Sequence, residues 1–288
     1  MTNTIDPWLG RVLHGRYRVL QKAADGARGG LYRGERIDDG RRVAVKLVAP
    51  QVHQSQTSFE QRFTQEVELA RGLSDRNTLA VFEGGRVDER HMFMACEWLS
   101  GIDLTRMLDA RGPLNTRQAL FLANQTARSL ASAHAHKIAH GDLTPESLFV
   151  TRDARGLSLV KVMDYGRQRM ASFSDEGFSQ VNMPLGWARY LAPEQITGHE
   201  FDGRADIYAL GTIMYRALSG VLPFGDATGI GIFMAQVHQQ PPPLKSHAAA
   251  ADVPPAVEDL VMRCLEKSPN DRFSSADDLI TLTEKLAR

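Results

Sequence analysis

A chain of 288 residues is long enough for one large domain or two closely packed lobes, and 43% hydrophobic with 24% charged residues is the composition of a globular protein with ample core. Lys plus Arg and Asp plus Glu are both 34, so the balanced charge carries no global signature of a nucleic-acid or anionic-membrane partner. Two cysteines far apart, Cys96 and Cys264, do not imply a disulfide framework, and a reducing cytoplasm is the easier reading.

The N-terminal "MTNTIDPWLG" lacks a charged-then-apolar signal pattern. The first hundred residues then read as strands. Short β-branched or aromatic runs at 17–20, 31–35, 42–48, 79–85 and 91–99 are separated by turn-formers such as "DDG" and "EGG". One helix interrupts them, with Phe59, Phe63, Val67 and Ala70 at helical spacing. After Gly101 the periodicity becomes helical. Asn115 and Gln118 give a capping-box start to a helix over 115–137, whose apolar face includes Leu120, Ala123, Ala127 and Leu130. Two short strands around "LFV" and "LVKVMD" follow, and from about residue 190 the chain is helical. The apolar stretch 207–224 contains Arg216 and breaks at Gly220 and Pro223, so it predicts a buried helix, not a membrane span. "PPPLKSHAAAADVPP" at 241–255 reads as a surface loop. A β-rich part followed by a helical part gives an α+β fold class.

Four ionisable residues stand out in this frame. Lys46 ends "VAVK" within a strand and needs an anionic partner if its tip is covered. Glu66 lies on the next helix and can supply that carboxylate. Asp142 sits in "HGDLTPESLFV", and Asp164 follows the strand "VKVM". Their order matches a strand lysine, a helix glutamate, a catalytic-loop aspartate and a metal-binding aspartate. With "YLAPEQ" (190–195) and "RADIYALGTIMY" (204–215), the chain resembles bacterial Ser/Thr protein kinases of the eukaryotic-like type over almost its whole length.

That resemblance implies a bilobal fold, with residues 1–99 forming a five-stranded sheet plus one helix and residues 100–288 a helical lobe. The latter would hold a catalytic loop at 140–150 and an activation segment at 164–194. It implies ATP and Mg2+ as cofactors, with Mn2+ an allowed substitute. Lys46 would hold the α- and β-phosphates and Glu66 would hold Lys46; Asp142 would accept or orient the substrate hydroxyl proton; Asp164 and Ser147 would hold the metal. Gly26, Gly29 and Leu31 would cover the nucleotide, with Ala44, Glu97, Leu99 and Phe149 around adenine and Cys96 as a small apolar filler beside it. Asp206 and the pair Glu194 with Arg272 resemble the family's structural contacts. The implied partners are ATP and an unidentified protein substrate, with neither nucleic acid nor membrane.

The loop also departs from the family. Gly141 replaces an arginine that pairs with a phosphorylated activation loop, Thr144 a lysine that steadies the transferring phosphoryl group, and Ser147 an asparagine that helps hold a second metal. Trp187 replaces a threonine, Ala24 stands for the first glycine of the phosphate loop, and Phe149 adds a bulky ring near adenine. Three readings remain open at this stage: a Ser/Thr protein kinase of reduced activity, a pseudokinase acting as a nucleotide- or partner-binding scaffold, and a small-molecule phosphotransferase. Trp187 is either a partner-docking anchor or a space filler. The histidines His134, His136 and His140 sit close together, but the spacing does not make a complete zinc set, and His140 is expected to be buried.

Overall fold

Side chains along β4 (Arg42–Val48) alternate between two covered faces, and this strand organises the N-terminal unit. Val43, Val45 and Leu47 point to one face and join Leu13, Tyr17, Val19, Tyr32, Phe93 and Ala95. Ala44, Lys46 and Val48 point to the other, where Val48 packs with Met92, Met94 and the apolar face of helix α1 (Gln56–Gly72), namely Phe59, Phe63 and Val67. Burial on both faces explains why "RVAVKLV" is a nearly continuous apolar run. The computed structural model describes residues 6–26, 29–50, 55–166, 186–225, 227 and 230–288. The expected activation segment therefore falls mainly outside the described residues, at 167–185.

The sheet has six strands in the order β1-β2-β3-β4-β6-β5, with β1 at Val12–Leu13, β2 at Tyr17–Gly26, β3 at Gly29–Arg36, β5 at Val81–Arg86 and β6 at Met92–Glu97. All its pairings are antiparallel. Five of these strands lie on the five runs expected from the sequence. The sixth, β1, has only two residues and carries no alternation to read. Helix α1 starts where the Ser55 side chain accepts from the Ser58 N–H.

The chain divides into two units: Met1–Ser74 with Leu79–Ser100, and Asp75–Thr78 with Gly101–Arg288. The second opens with a three-stranded sheet, β7 (Gly101–Asp103), β8 (Leu148–Arg152) and β9 (Ser158–Val162). The sequence reading contained β8 and β9 but not the three-residue β7. Helix α2 (Leu104–Arg111) follows, and then α3 (Thr116–Ala135), whose capping box between Asn115 and Gln118 is formed in both directions. The stretch expected as a buried helix is α4 (Gly203–Ser219). Asp202 caps its start and Gly220, at φ +81°, ends it. A short four-residue helix at Pro193–Ile196 precedes α4, and helices α5 (Ile230–His238), α6 (Pro255–Cys264) and α7 (Ala276–Leu286) follow it. No described helix is long and apolar enough to cross a membrane. The segment 241–255 departs from the expected surface loop: it forms two 3-10 turns with Leu244 and Ala250 fully buried, and its His247 bonds the Tyr215 hydroxyl at 2.7 Å.

Candidate active site

In the N-terminal unit, strand register brings the expected nucleotide-binding residues to one face. Leu31 lies opposite Lys46, which lies opposite Met94, and Ala44 lies opposite Cys96. Side chains two apart on a strand share a face, so Leu31, Ala44, Lys46 and Cys96 are grouped there. Leu31 is exposed and Lys46 half-buried. Helix α1 delivers Glu66 to the same face: Glu66 Oε1 is 3.8 Å from Lys46 Nζ, an ion-pair separation. Glu68, two residues on, is exposed. Gly26 and Gly29 face each other across the β2–β3 hairpin. A Cβ on Gly29 would lie 1.9 Å from the Leu47 carbonyl oxygen, so this hairpin closes onto β4 only with glycine there. Cys96 Sγ donates to the Ala44 carbonyl at 3.7 Å, the contact of a buried filler. The Glu97 N–H donates to the Ala80 carbonyl at 2.9 Å, and its carboxylate accepts from the Ala80 N–H at 2.8 Å. Leu99 is half-buried just beyond β6.

In the helical unit, the loop 140–150 is anchored from below. Asp206, 1% exposed near the start of α4, accepts from the His140 N–H and the Gly141 N–H, each at 2.8 Å, and binds His134 Nε2 at 2.8 Å. Gly141 adopts φ +73°, and its carbonyl accepts from Gln195 Nε2 at 2.8 Å. His140 is buried, its Nε2 on the Met163 carbonyl and its Nδ1 3.3 Å from the Asp142 N–H. Asp142 is thus carried by a loop fixed at several backbone points and is itself 5% exposed. Pro145 opens a 3-10 turn that ends on Ser147. The Ser147 carbonyl accepts from the Met163 N–H at 2.8 Å, which ties the loop to the residue before Asp164. Asp164 itself sits at φ +64°, a left-handed conformation uncommon for a non-glycine residue. Behind it, Tyr165 is buried with its hydroxyl 2.9 Å from Ser129 Oγ, and burial pushes its ionisation far up. Phe149 is half-buried on β8, opposite Asp103.

Asp164 and Ser147 are oxygen donors, and among the described residues no group of three or more His, Cys, Asp or Glu side chains could hold a metal. That donor set fits Mg2+, which is usually bound through one or two carboxylates plus substrate phosphates and not by a full protein cage. The neighbouring histidines are each engaged elsewhere: His134 on Asp206, His136 on the Ser132 carbonyl, His140 on the Met163 carbonyl.

The substituted positions have definite surroundings. Thr144 Oγ1 and Ser147 Oγ lie 3.4 Å apart, both buried. Trp187 is 8% exposed and packs with Ala188, Leu191, Ile232 and Phe233. Its ring therefore fills its own chain's core, and of the two sequence readings the filler fits. Gln195 went unremarked in the sequence. It joins the 140–150 loop to the "LAPEQ" turn by donating to the Gly141 carbonyl while its Oε1 accepts from the Ala192 N–H at 3.0 Å. Only the glutamine after "LAPE" hinted at it. Lys161 was also missed: it is 8% exposed inside β9, with Nζ donating to the Thr78 carbonyl at 3.1 Å.

Residues 17–282 match the sequence family described as "Protein kinase domain". The chain belongs to the protein kinase family. Among curated kinases it is 29% identical over 278 residues to the serine/threonine-protein kinase pkn3 of Myxococcus xanthus, an alignment covering 96% of this chain and 51% of that protein. It is 28% identical to the serine/threonine-protein kinase PrkC of Bacillus subtilis, over 94% of this chain and 40% of the relative. The serine/threonine-protein kinase PknA of Mycobacterium tuberculosis is 32% identical, with 94% and 61% covered. This chain thus spans about half the length of these relatives. The crystal structure of the Mycobacterium tuberculosis PknI kinase domain superposes with a TM-score of 0.73 at 24% identity, covering 96% of this chain and 98% of that one. The protein kinase fold follows: a β-sheet N-terminal region and a mainly helical C-terminal region.

Proposed function

We propose that this kinase-family chain transfers the γ-phosphate of ATP to a Ser or Thr hydroxyl of a protein, at a reduced rate. The observation that supports this most is the Lys46–Glu66 pair at 3.8 Å. A strand lysine half-covered by its sheet costs desolvation, and a carboxylate from α1 offsets that cost while aiming the ammonium. Lys46 would hold the α- and β-phosphates. Gly26, Gly29 and Leu31 would cover the nucleotide, and Ala44, Glu97, Leu99 and Phe149 would surround adenine. Asp164 and Ser147 would hold Mg2+ or Mn2+, which would supply neutralisation of charge on the phosphate oxygens. Asp142 would take the proton of the attacking hydroxyl, or orient it, from a loop that Asp206 keeps rigid. The rate would be low because Thr144 brings no charge to the transferring group and Ser147 is a weak metal ligand. Each such loss is worth roughly one to two orders of magnitude.

A second reading, a nucleotide-binding scaffold without transfer, is favoured by one feature: the Ser147 hydroxyl faces Thr144 at 3.4 Å. Two measurements decide. Millimolar ATP with Mg2+ should raise the thermal midpoint. Radiolabelled ATP should label the chain itself or a generic protein substrate, and Asp142→Asn should abolish that labelling. A midpoint shift without Asp142-dependent transfer selects the scaffold, and no shift at all overturns both readings.

A further inference from the structure

The helical unit contains a cavity of about 870 Å³ that the nucleotide roles above do not use. Its walls are the catalytic-loop residues Thr144, Pro145 and Glu146, the 3-10 segment bearing Arg189 and Tyr190, and Arg216 near the end of α4. It lies in the size range of built ligand sites. It adjoins the loop that carries Asp142: Thr144, two residues on, forms part of its wall, Tyr190 also borders a small recess lined by Asp142, and the Tyr190 hydroxyl accepts from Arg216 Nη1 at 3.0 Å. A polypeptide presenting a hydroxyl to Asp142 therefore has neighbouring side chains within reach of this cavity, since an extended chain advances only about 3.3–3.6 Å per residue.

The charged residues named on these walls are Arg189 and Arg216 against Glu146. Arg216 is well suited to take a carboxylate. Its guanidinium is 23% exposed and oriented by Tyr190, and its ion pair is to Asp109 at 3.1 Å, whose own side chain is 63% exposed. Such a surface pair contributes little and yields to a competing acid. Arg189 is aimed by the neutral Gly225 carbonyl, to which its Nη1 donates at 2.7 Å, so its charge is positioned without being neutralised by that partner. Each of these two anchored guanidiniums offers the planar fork of donors that suits carboxylate oxygens.

We propose that Arg216 and Arg189 form a specificity subsite that selects protein substrates carrying an acidic side chain near the phosphoacceptor. This rests on the phosphotransfer reading and names its substrate class.

The test uses the full chain, ATP with Mg2+, and threonine peptides with Glu or Lys placed at each position around the acceptor. The wild type should phosphorylate at least one Glu peptide about ten-fold better, by kcat/KM, than its Lys counterpart. Arg216→Glu with Arg189→Glu should invert that preference, a gain on Lys peptides that a misfolded protein cannot show. Added salt should shrink the preference. Phosphorylation with the same ranking in wild type and variant overturns the subsite and leaves the kinase reading intact. If no peptide is phosphorylated, fluorescence anisotropy of a labelled Glu-rich peptide takes over. Binding to wild type that is lost in the variant, with the thermal midpoint preserved, keeps the subsite while the transfer reading fails. Equal or absent binding in both overturns it.

Discussion

The Gly141 N–H donates to Asp206 Oδ1 at 2.8 Å, and it does so from a backbone at φ +73°. The 140–150 loop is thus held by a buried carboxylate in a conformation that suits glycine. A Cβ at this position would also touch the Phe201 ring at 3.4 Å. Placing there the arginine that the family resemblance implies should not stabilise the loop. Gly141→Arg should instead lower unfolding free energy by about 1–2 kcal/mol, the cost of a left-handed non-glycine residue. Urea denaturation of the variant measures this, and an unchanged midpoint would mean the loop relaxes to negative φ.

The Lys46–Glu66 pair predicts a nucleotide effect without a folding effect. Glu66→Gln keeps the size and a hydrogen-bonding end but removes the charge that aims Lys46. ATP–Mg2+ affinity should fall about ten-fold, corresponding to about 1.4 kcal/mol, with the thermal midpoint in the absence of nucleotide nearly unchanged. Isothermal titration reads the affinity. Equal affinity in both proteins would show that Lys46 needs no help from α1.

Glu194 and Arg272 make two parallel bonds at 2.7 and 2.8 Å, with Arg272 0% exposed. The guanidinium also donates to the carbonyls of Glu266, Arg204 and Lys267. Removing it strands a buried carboxylate, so Arg272→Ala should cost about 3–5 kcal/mol. Combining Arg272→Met with Glu194→Leu should cost less than the sum of the single changes, because neither charge is then left alone. A double-mutant cycle by chemical denaturation would refute this if the effects simply add.

Much of this was legible in the sequence, for identifiable reasons. Lys46, Glu66, Asp142 and Asp164 announce themselves because each is an ionisable residue fixed to a strand, helix or loop signal of its own. The five long strands and helices α1, α3 and α4 carry periodicity or caps. What stayed hidden depends on backbone conformation or distant pairing. Gly141 read as a lost arginine, whereas its φ and its bonds to Asp206 and Gln195 are long-range facts. Trp187 read equally well as an anchor or a filler, because only the packing of α5 against it decides. Leu244 and Ala250 looked like loop residues since prolines and alanines carry no periodic signal, yet both are fully buried.

Lys267 should make stability pH-dependent. Burial, followed by the nearby Arg272 charge, lowers its ionisation to about 8 from the ordinary 10.5. Its Nζ donates to the Gln236 carbonyl at 2.8 Å and lies 4.4 Å from the Phe224 ring centre. Between these two values the unfolded chain binds the proton more tightly than the folded one, so stability from this group rises with pH. Below about 8 both states are charged and the folded state bears the full desolvation cost. The difference in unfolding free energy between wild type and Lys267→Met should therefore shift in favour of wild type from pH 7 to pH 9.5. A difference independent of pH would show that Lys267 titrates normally.

On the phosphotransfer reading, Ser147 is where a reduced rate should be most easily repaired. Its hydroxyl is 2% exposed at the residue level and lies 3.4 Å from Thr144 Oγ1, so part of its donor and acceptor capacity is turned toward its neighbour. An asparagine carbonyl is a stronger neutral oxygen ligand on a longer arm, and a hard divalent cation favours it. The cost is steric, because added atoms in a packed loop destabilise by about 1–3 kcal/mol. Pairing Ser147→Asn with Thr144→Ala makes room, since the Thr144 hydroxyl lies 3.4 Å from the Ser147 hydroxyl. The double variant should need less Mg2+ for half-maximal rate and gain at least about ten-fold in kcat, the scale of one recovered electrostatic contact. Steady-state assays across a Mg2+ titration test both quantities together. A gain in kcat without a lower Mg2+ requirement would place the effect in loop positioning and not in the metal. No gain in either would mean that the missing positive charge at position 144, and not Ser147, limits the transfer.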